Sequence, residues 1–143
     1  MTFLPYSDFK KSAEVLDYRR LGKQRVESLQ ILNVLTKKNT GYSNHPAVKM
    51  WDGYIESLKL YTNIIIQEWI DRGYVNNMSF YDVDINKLIH PWWLGNNNFH
   101  RAMRSRLIEK YPIFYETKFP EDKNFNDGIF LWPVNETKTF RKI

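Results

Sequence analysis

The chain has 143 residues, no cysteine and a formal net charge of +5. Without cysteine, neither a disulfide framework nor a thiolate metal site can form, and a reducing, cytoplasmic setting is expected. The basic balance favours an acidic partner such as nucleic acid, and an apolar fraction of 43% suits one globular domain over residues 1–143.

Residues 1–11 include Asp8, Lys10 and Lys11 and hold no apolar run of signal-peptide length. The first periodic stretch runs from Ser12 to Lys38 and predicts a helix with Tyr18, Leu21, Leu29, Leu32 and Leu35 on its apolar side. Gly22 interrupts it, and close approach of another helix is the expected reason. A connection over 39–45 follows. The second stretch opens at Pro46, a favoured first-turn residue, and closes at Gly73. Trp51, Tyr54, Ile55, Leu58, Tyr61, Ile65 and Trp69 recur at spacings of three and four, the pattern of a central core helix. Trp51, Leu58, Ile65 and Trp69 are expected to pack on Leu29, Leu32 and Met103. Ile64–Ile66 is too short an apolar run to span a bilayer, so no membrane is expected as a partner.

Residues 73–98 read as a connection. The third helix is predicted over 97–111, with an Asn of the 96–98 run as its cap. A short helix from Pro112 to Phe119, a loop over 120–128, an extended apolar tail at 129–133 and a polar end complete the chain. The expected fold is all-α: a compact single domain of three principal helices with extended N- and C-terminal segments.

Two basic faces stand out. In LDYRRLGKQRVE (16–27), helical spacing puts Asp17, Arg20, Gln24 and Glu27 on one face, flanked by Arg19 and Lys23. Such a face can hold phosphates while a carboxylate waits near the sugar. It can equally be a solvated face laced with Asp17–Arg20 and Lys23–Glu27 pairs. On the third helix, His100, Arg101, Arg104 and Arg106 fall within two turns. Two such faces could grip a DNA backbone from opposite sides. The spacing of His45, His90 and His100 matches no short ligand motif, so neither a metal nor any cofactor is expected.

Taken together, the N-terminal Met1-Thr2, LDYRRLGKQRVE, HPAVKMWDGY, EWIDRGY and NNNFHRAMRSRLIEKYPIFY resemble the pyrimidine dimer DNA glycosylase family, known from a small phage repair endonuclease. The chain is similar to a bacterial branch in which TFLPY, RRLGKQRVE, HPA–MW and a terminal LWPV recur. The resemblance implies a three-helix domain without a sheet core. It also implies chemistry at an N-terminal Thr, whose α-amine attacks C1′ of a damaged nucleotide; a Schiff base forms and β-elimination nicks the strand. Thr2 matches that nucleophile once Met1 is removed, and a small second residue permits removal.

The family's helix glutamate falls here on Arg20, which cannot act as a base; Glu27 or Asp17 is expected to replace it. Phe3 stands where the family has an Arg. Arg19 and Arg25 match basic DNA-holding positions, and Arg106-Leu107 and Phe114-Tyr115 match later motifs more loosely. The expected site therefore comprises catalytic Thr2, Glu27 and Asp17. The expected nucleic-acid contacts are Arg19, Arg20, Lys23, Gln24, Arg25, His100, Arg101, Arg104 and Arg106. The expected function is a DNA N-glycosylase, with or without lyase activity, acting as a monomer near the nucleoid. A non-catalytic DNA-, RNA- or nucleotide-binding module on the same fold is the alternative.

Overall fold

The computed structural model describes residues 1–37 and 43–142. It is mostly helical, with one small two-stranded sheet. Part of the connection expected over 39–45, and the helix end at Lys38, lie outside the described residues.

The stretch expected as one helix from Ser12 to Lys38 is two: α1 (Phe9–Val15) and α2 (Tyr18–Lys37). Asp8 starts α1, its side chain accepting the Lys11 N–H at 2.8 Å, an ordinary N-cap. The chain turns extended at Leu16. At the break, the Asp17 N–H donates to the Tyr115 hydroxyl at 2.8 Å, and that hydroxyl donates to the Asp17 carboxylate at 2.5 Å. A partner 98 residues away thus satisfies backbone that a continuous helix would have used locally. No nearby residue announces it.

The second expected helix also divides, into α3 (Pro46–Lys49) and α4 (Ile55–Asp71). Gly53 lies in the intervening turn at φ +90°, a conformation that strongly favours glycine. The turn lets the Trp51 indole point into the core. Gly73, at φ +87°, lies two residues past the end of α4, as its position predicts. Residues 74–96 run largely without regular structure. Helix α5 (Asn97–Lys110) matches the third expected helix, and its cap is Asn96, which accepts the Phe99 N–H at 3.0 Å.

Helix α6 (Pro112–Tyr115) is shorter than expected. The tail is one strand of a hairpin: β1 (Leu131–Val134) pairs antiparallel with β2 (Thr139–Lys142), Pro133 opposite Phe140. The polar C-terminal end supplies the second strand.

Helices α2 and α4 pack against each other, and α1 lies on α4. Trp51, Leu58, Ile65, Trp69, Leu32 and Met103 share one buried cluster, while Leu29 is outside it. Gly22 is a point of close approach: a Cβ there would sit 3.1 Å from the Trp69 ring. Across this core, residues 1–6 run as a strap without helix or strand.

Candidate active site at the chain start

The strap is held residue by residue. The Gln24 amide donates through Nε2 to the Met1 carbonyl at 3.1 Å and accepts the Phe3 N–H on Oε1 at 2.8 Å. The Tyr61 hydroxyl lies 2.7 Å from Gln24 Oε1 and 2.9 Å from the Phe3 carbonyl. Trp51 Nε1 donates to Thr2 Oγ1 at 3.1 Å. Further along, His100 Nδ1 meets the Leu4 carbonyl at 2.8 Å and Arg104 donates to the Pro5 carbonyl at 2.7 Å. Ser12 bonds both backbone groups of Tyr6.

This anchoring brings the Met1 α-amine into contact with the Glu27 carboxylate. Burial lowers the amine's pKa from 8.0 to about 6, and the positive charges of Lys110 and Lys23 act in the same direction. The contact with the Glu27 carboxylate pulls the other way, toward the charged form. Glu27 also lines a cavity of about 500 Å³ with Lys23, Gln30 and His45 among apolar walls of Val26, Ile31, Val34, Ala47 and Val48. A neutral amine beside a carboxylate at the edge of such a hollow is equipped for nucleophilic attack and proton transfer.

A second hollow of about 370 Å³ adjoins it, lined by Tyr18, Arg19, Arg20, Gly22, Lys23 and Trp69. Tyr18, expected on the apolar side of the helix, is 53% exposed. It stacks on Trp69 at 5.5 Å between centroids, and Tyr74 closes on the same indole at 4.5 Å.

The expected site residues separate into three groups. Glu27 is at the amine. Thr2 is adjacent but buried, with 1% exposure. Asp17 is elsewhere, bonded to Tyr115 and to Arg20 at 3.2 Å. Of the residues expected to contact nucleic acid, Arg19 and Lys23 are exposed on α2 with no hydrogen bond or ion pair among the described residues. Arg20 is tied to Asp17 and reaches the Lys110 carbonyl at 3.4 Å. Arg25 lies over the Trp69 ring at 4.2 Å and donates to Asn76 at 3.2 Å. Gln24 has no exposure at all: the strap covers it, so it faces inward rather than toward solvent.

The third helix's cations are turned to internal partners. His100 is buried, and its Nε2 accepts the Gly95 N–H at 2.9 Å, which makes Nδ1 the protonated nitrogen facing the Leu4 carbonyl. Burial lowers its pKa. Arg101 and Arg104 converge on the Asp122 carboxylate at 2.8 and 2.6 Å. Arg106 donates to the Gly128 carbonyl at 3.3 Å. The two basic faces therefore do not form one open cleft of free cations.

The other histidines cap and pack. His45 Nδ1 accepts the Ala47 N–H at 3.1 Å, and His90 Nδ1 lies 2.8 Å from the Ser57 hydroxyl. Among the described residues, no three His, Asp or Glu side chains are grouped to hold a metal, and no helix is long and apolar enough to cross a membrane. Sequence reasoning missed Tyr61 and Trp51 as parts of the site. Their partners lie 58 and 49 residues away, beyond any local pattern.

A family model described as pyrimidine dimer DNA glycosylase matches residues 1–82 of the chain. No curated protein and no solved structure matches it.

Proposed function

The chain belongs to the pyrimidine dimer DNA glycosylase family, and we propose from that premise that it excises a damaged or modified pyrimidine from DNA through its N-terminal α-amine. The observation that carries the proposal is the contact between that amine and Glu27 at the edge of a cavity. With a pKa of about 6, roughly nine-tenths of the amine is neutral at pH 7, where an ordinary α-amine near 8 is mostly protonated.

In the proposed reaction the amine's lone pair attacks C1′ of an extrahelical nucleotide. The C1′–N bond breaks, and its electron pair leaves with the base, which takes up a proton. Glu27 accepts the proton that the amine sheds; the C1′–O4′ bond of the sugar ring then breaks, its electron pair and a proton going to O4′, and the nitrogen lone pair closes an iminium with C1′. Removal of a C2′ proton then expels the 3′ phosphate by β-elimination. The nucleophile is the first residue's amine: Thr2 when Met1 is removed, Met1 when it is retained. Arg19 and Lys23 hold phosphates, and the exposed Tyr18 ring stacks on an unpaired base.

Borohydride reduction tests the chemistry by freezing the iminium. The protein should form a covalent adduct with duplex DNA carrying an abasic site, and an N-terminal extension should prevent it. Lys10→Ala and Lys11→Ala should leave it intact. Intact mass identifies which residue carries the amine. Absence of an adduct would leave the DNA-binding module as the better reading.

A further inference from the structure

We infer that Gln24 and Tyr61 form a clamp whose role is to position the N-terminal α-amine, making both of them positioning residues for the reaction proposed above. The chemistry of this inference rests on that reading; the geometry does not. Gln24 and Tyr61 come from different helices, α2 and α4, are both fully buried, and bond each other. Between them they satisfy the Met1 carbonyl, the Phe3 N–H and the Phe3 carbonyl.

A buried primary amide in a helix-packing face is unusual, because each unpaired polar atom there is destabilising. Here Gln24 Oε1 is approached by two donors and Nε2 has its acceptor. The amide's orientation is fixed: Oε1 faces the Phe3 N–H and the Tyr61 hydroxyl, both donors, so Nε2 must face Met1. Burial raises the Tyr61 pKa, so the hydroxyl keeps the proton that it shares between two acceptors. An apolar pair would pack these helices as well. What the polar pair adds is a grip on the first and third residues of a strap that has no secondary structure of its own.

Glu27 is three residues beyond Gln24, nearly one turn along the same helix. The clamp therefore sets the distance from the strap's start to the carboxylate. It also holds the amine where burial acts on it. The charged and titratable groups around the amine are Glu27 and Lys23 from α2 and Lys110 from α5, with His45 on the cavity wall at the start of α3. Gln24 and Tyr61 add no charge to this set, so their effect on the amine can only be through its position.

The test uses the full-length protein and two readouts. The first is the pH dependence of N-terminal acetylation by dilute acetic anhydride, read by peptide mass, which reports the amine's pKa and needs no DNA. The second is the rate of borohydride trapping on abasic DNA. In the wild type the amine should titrate near 6. In Tyr61→Phe and Gln24→Leu the strap's start should loosen, the amine should meet water, and its titration should move up toward the ordinary value of about 8. Trapping should slow by roughly 100-fold, the order of loss that a small misplacement causes, with DNA affinity within a few-fold.

Variants that are folded by circular dichroism yet titrate and trap like the wild type would overturn the clamp. Should Gln24→Leu fail to fold, Tyr61→Phe decides, because it removes one hydroxyl and keeps the ring's packing. Should the wild type trap no DNA, the glycosylase reading fails. The acetylation profile then still decides the clamp: an amine near 6 that rises in the variants supports it, and an unchanged profile overturns it.

Discussion

Two helices of this protein carry dense runs of basic residues and use them in opposite ways. On α5, Arg101 and Arg104 are joined to Asp122, whose side chain is 7% exposed, Arg106 is bonded to a backbone carbonyl and His100 is sealed inside. Those side chains fasten the strap and the 120–128 region to the helix. On α2, Arg20 and Arg25 have internal partners, while Arg19 and Lys23 face solvent beside two hollows. Basic composition marks both helices alike. The difference lies in whether a carboxylate or carbonyl from a distant segment arrives to meet each charge.

The sharpest test of this contrast is Glu27→Gln. It leaves a group of similar shape at the amine but no base, and a lost general base costs about 10²–10⁴ in rate. Single-turnover assays on abasic DNA should show that loss with binding within a few-fold. Equal loss of binding would make Glu27 a residue of the fold alone.

Asp122→Ala tests the other helix. Arg101 and Arg104 would lose their shared carboxylate, and breaking a mostly buried pair costs about 3 kcal/mol or more. Urea unfolding should register it. A change of under about 1 kcal/mol, the range of a surface pair, would mean that the α5 arginines are effectively solvated.

A smaller effect separates the two faces in DNA binding. Arg19→Ala and Lys23→Ala should each flatten the dependence of log affinity on log salt by about 0.9. Arg101→Ala and Arg104→Ala should lower the melting temperature and leave that slope alone. The reverse pattern would move the DNA surface to α5.

The last expectation concerns pH. Both the N-terminal amine and His100 have folded pKa values below their unfolded ones. For such bases the unfolded chain binds protons first as pH falls, so stability falls with it. The amine's contribution should be lost between about pH 8 and 6, and that of His100 from about pH 6.5 downward. Melting curves on wild type, an N-terminally extended form and His100→Gln should separate the two. A melting temperature flat across both windows would mean that neither group is buried in solution as it is here.

Much of the architecture is legible residue by residue. The three- and four-residue spacings of Leu58, Tyr61 and Ile65 announce a helix with one buried side, the Asn run at 96–98 announces a cap, and Gly73 announces an end. The interruptions at Leu16–Asp17 and Gly53 are less legible. The first depends on Tyr115, 98 residues away. The second turns on one glycine in an otherwise helical pattern, which periodicity alone overrides.

The site divides in the same way. The motif of residues 16–27 announces a charged segment and contains the carboxylate that meets the amine. Nothing in it tells Gln24 from a solvent-facing polar residue.

The sequence by itself determined a mostly helical chain, its central core stripe and a short set of candidate residues, because these follow from periodicity, caps and the placing of charged residues along the chain; its motifs also carried the resemblance to the family. Only the tertiary structure decided which cations are free, that Glu27 rather than Asp17 meets the amine, and that Gln24, Tyr61 and Trp51 secure the strap. Each of those outcomes depends on a polar partner brought from tens of residues away. Burial then makes the pairing obligatory, because an unsatisfied donor, acceptor or charge inside the fold is destabilising.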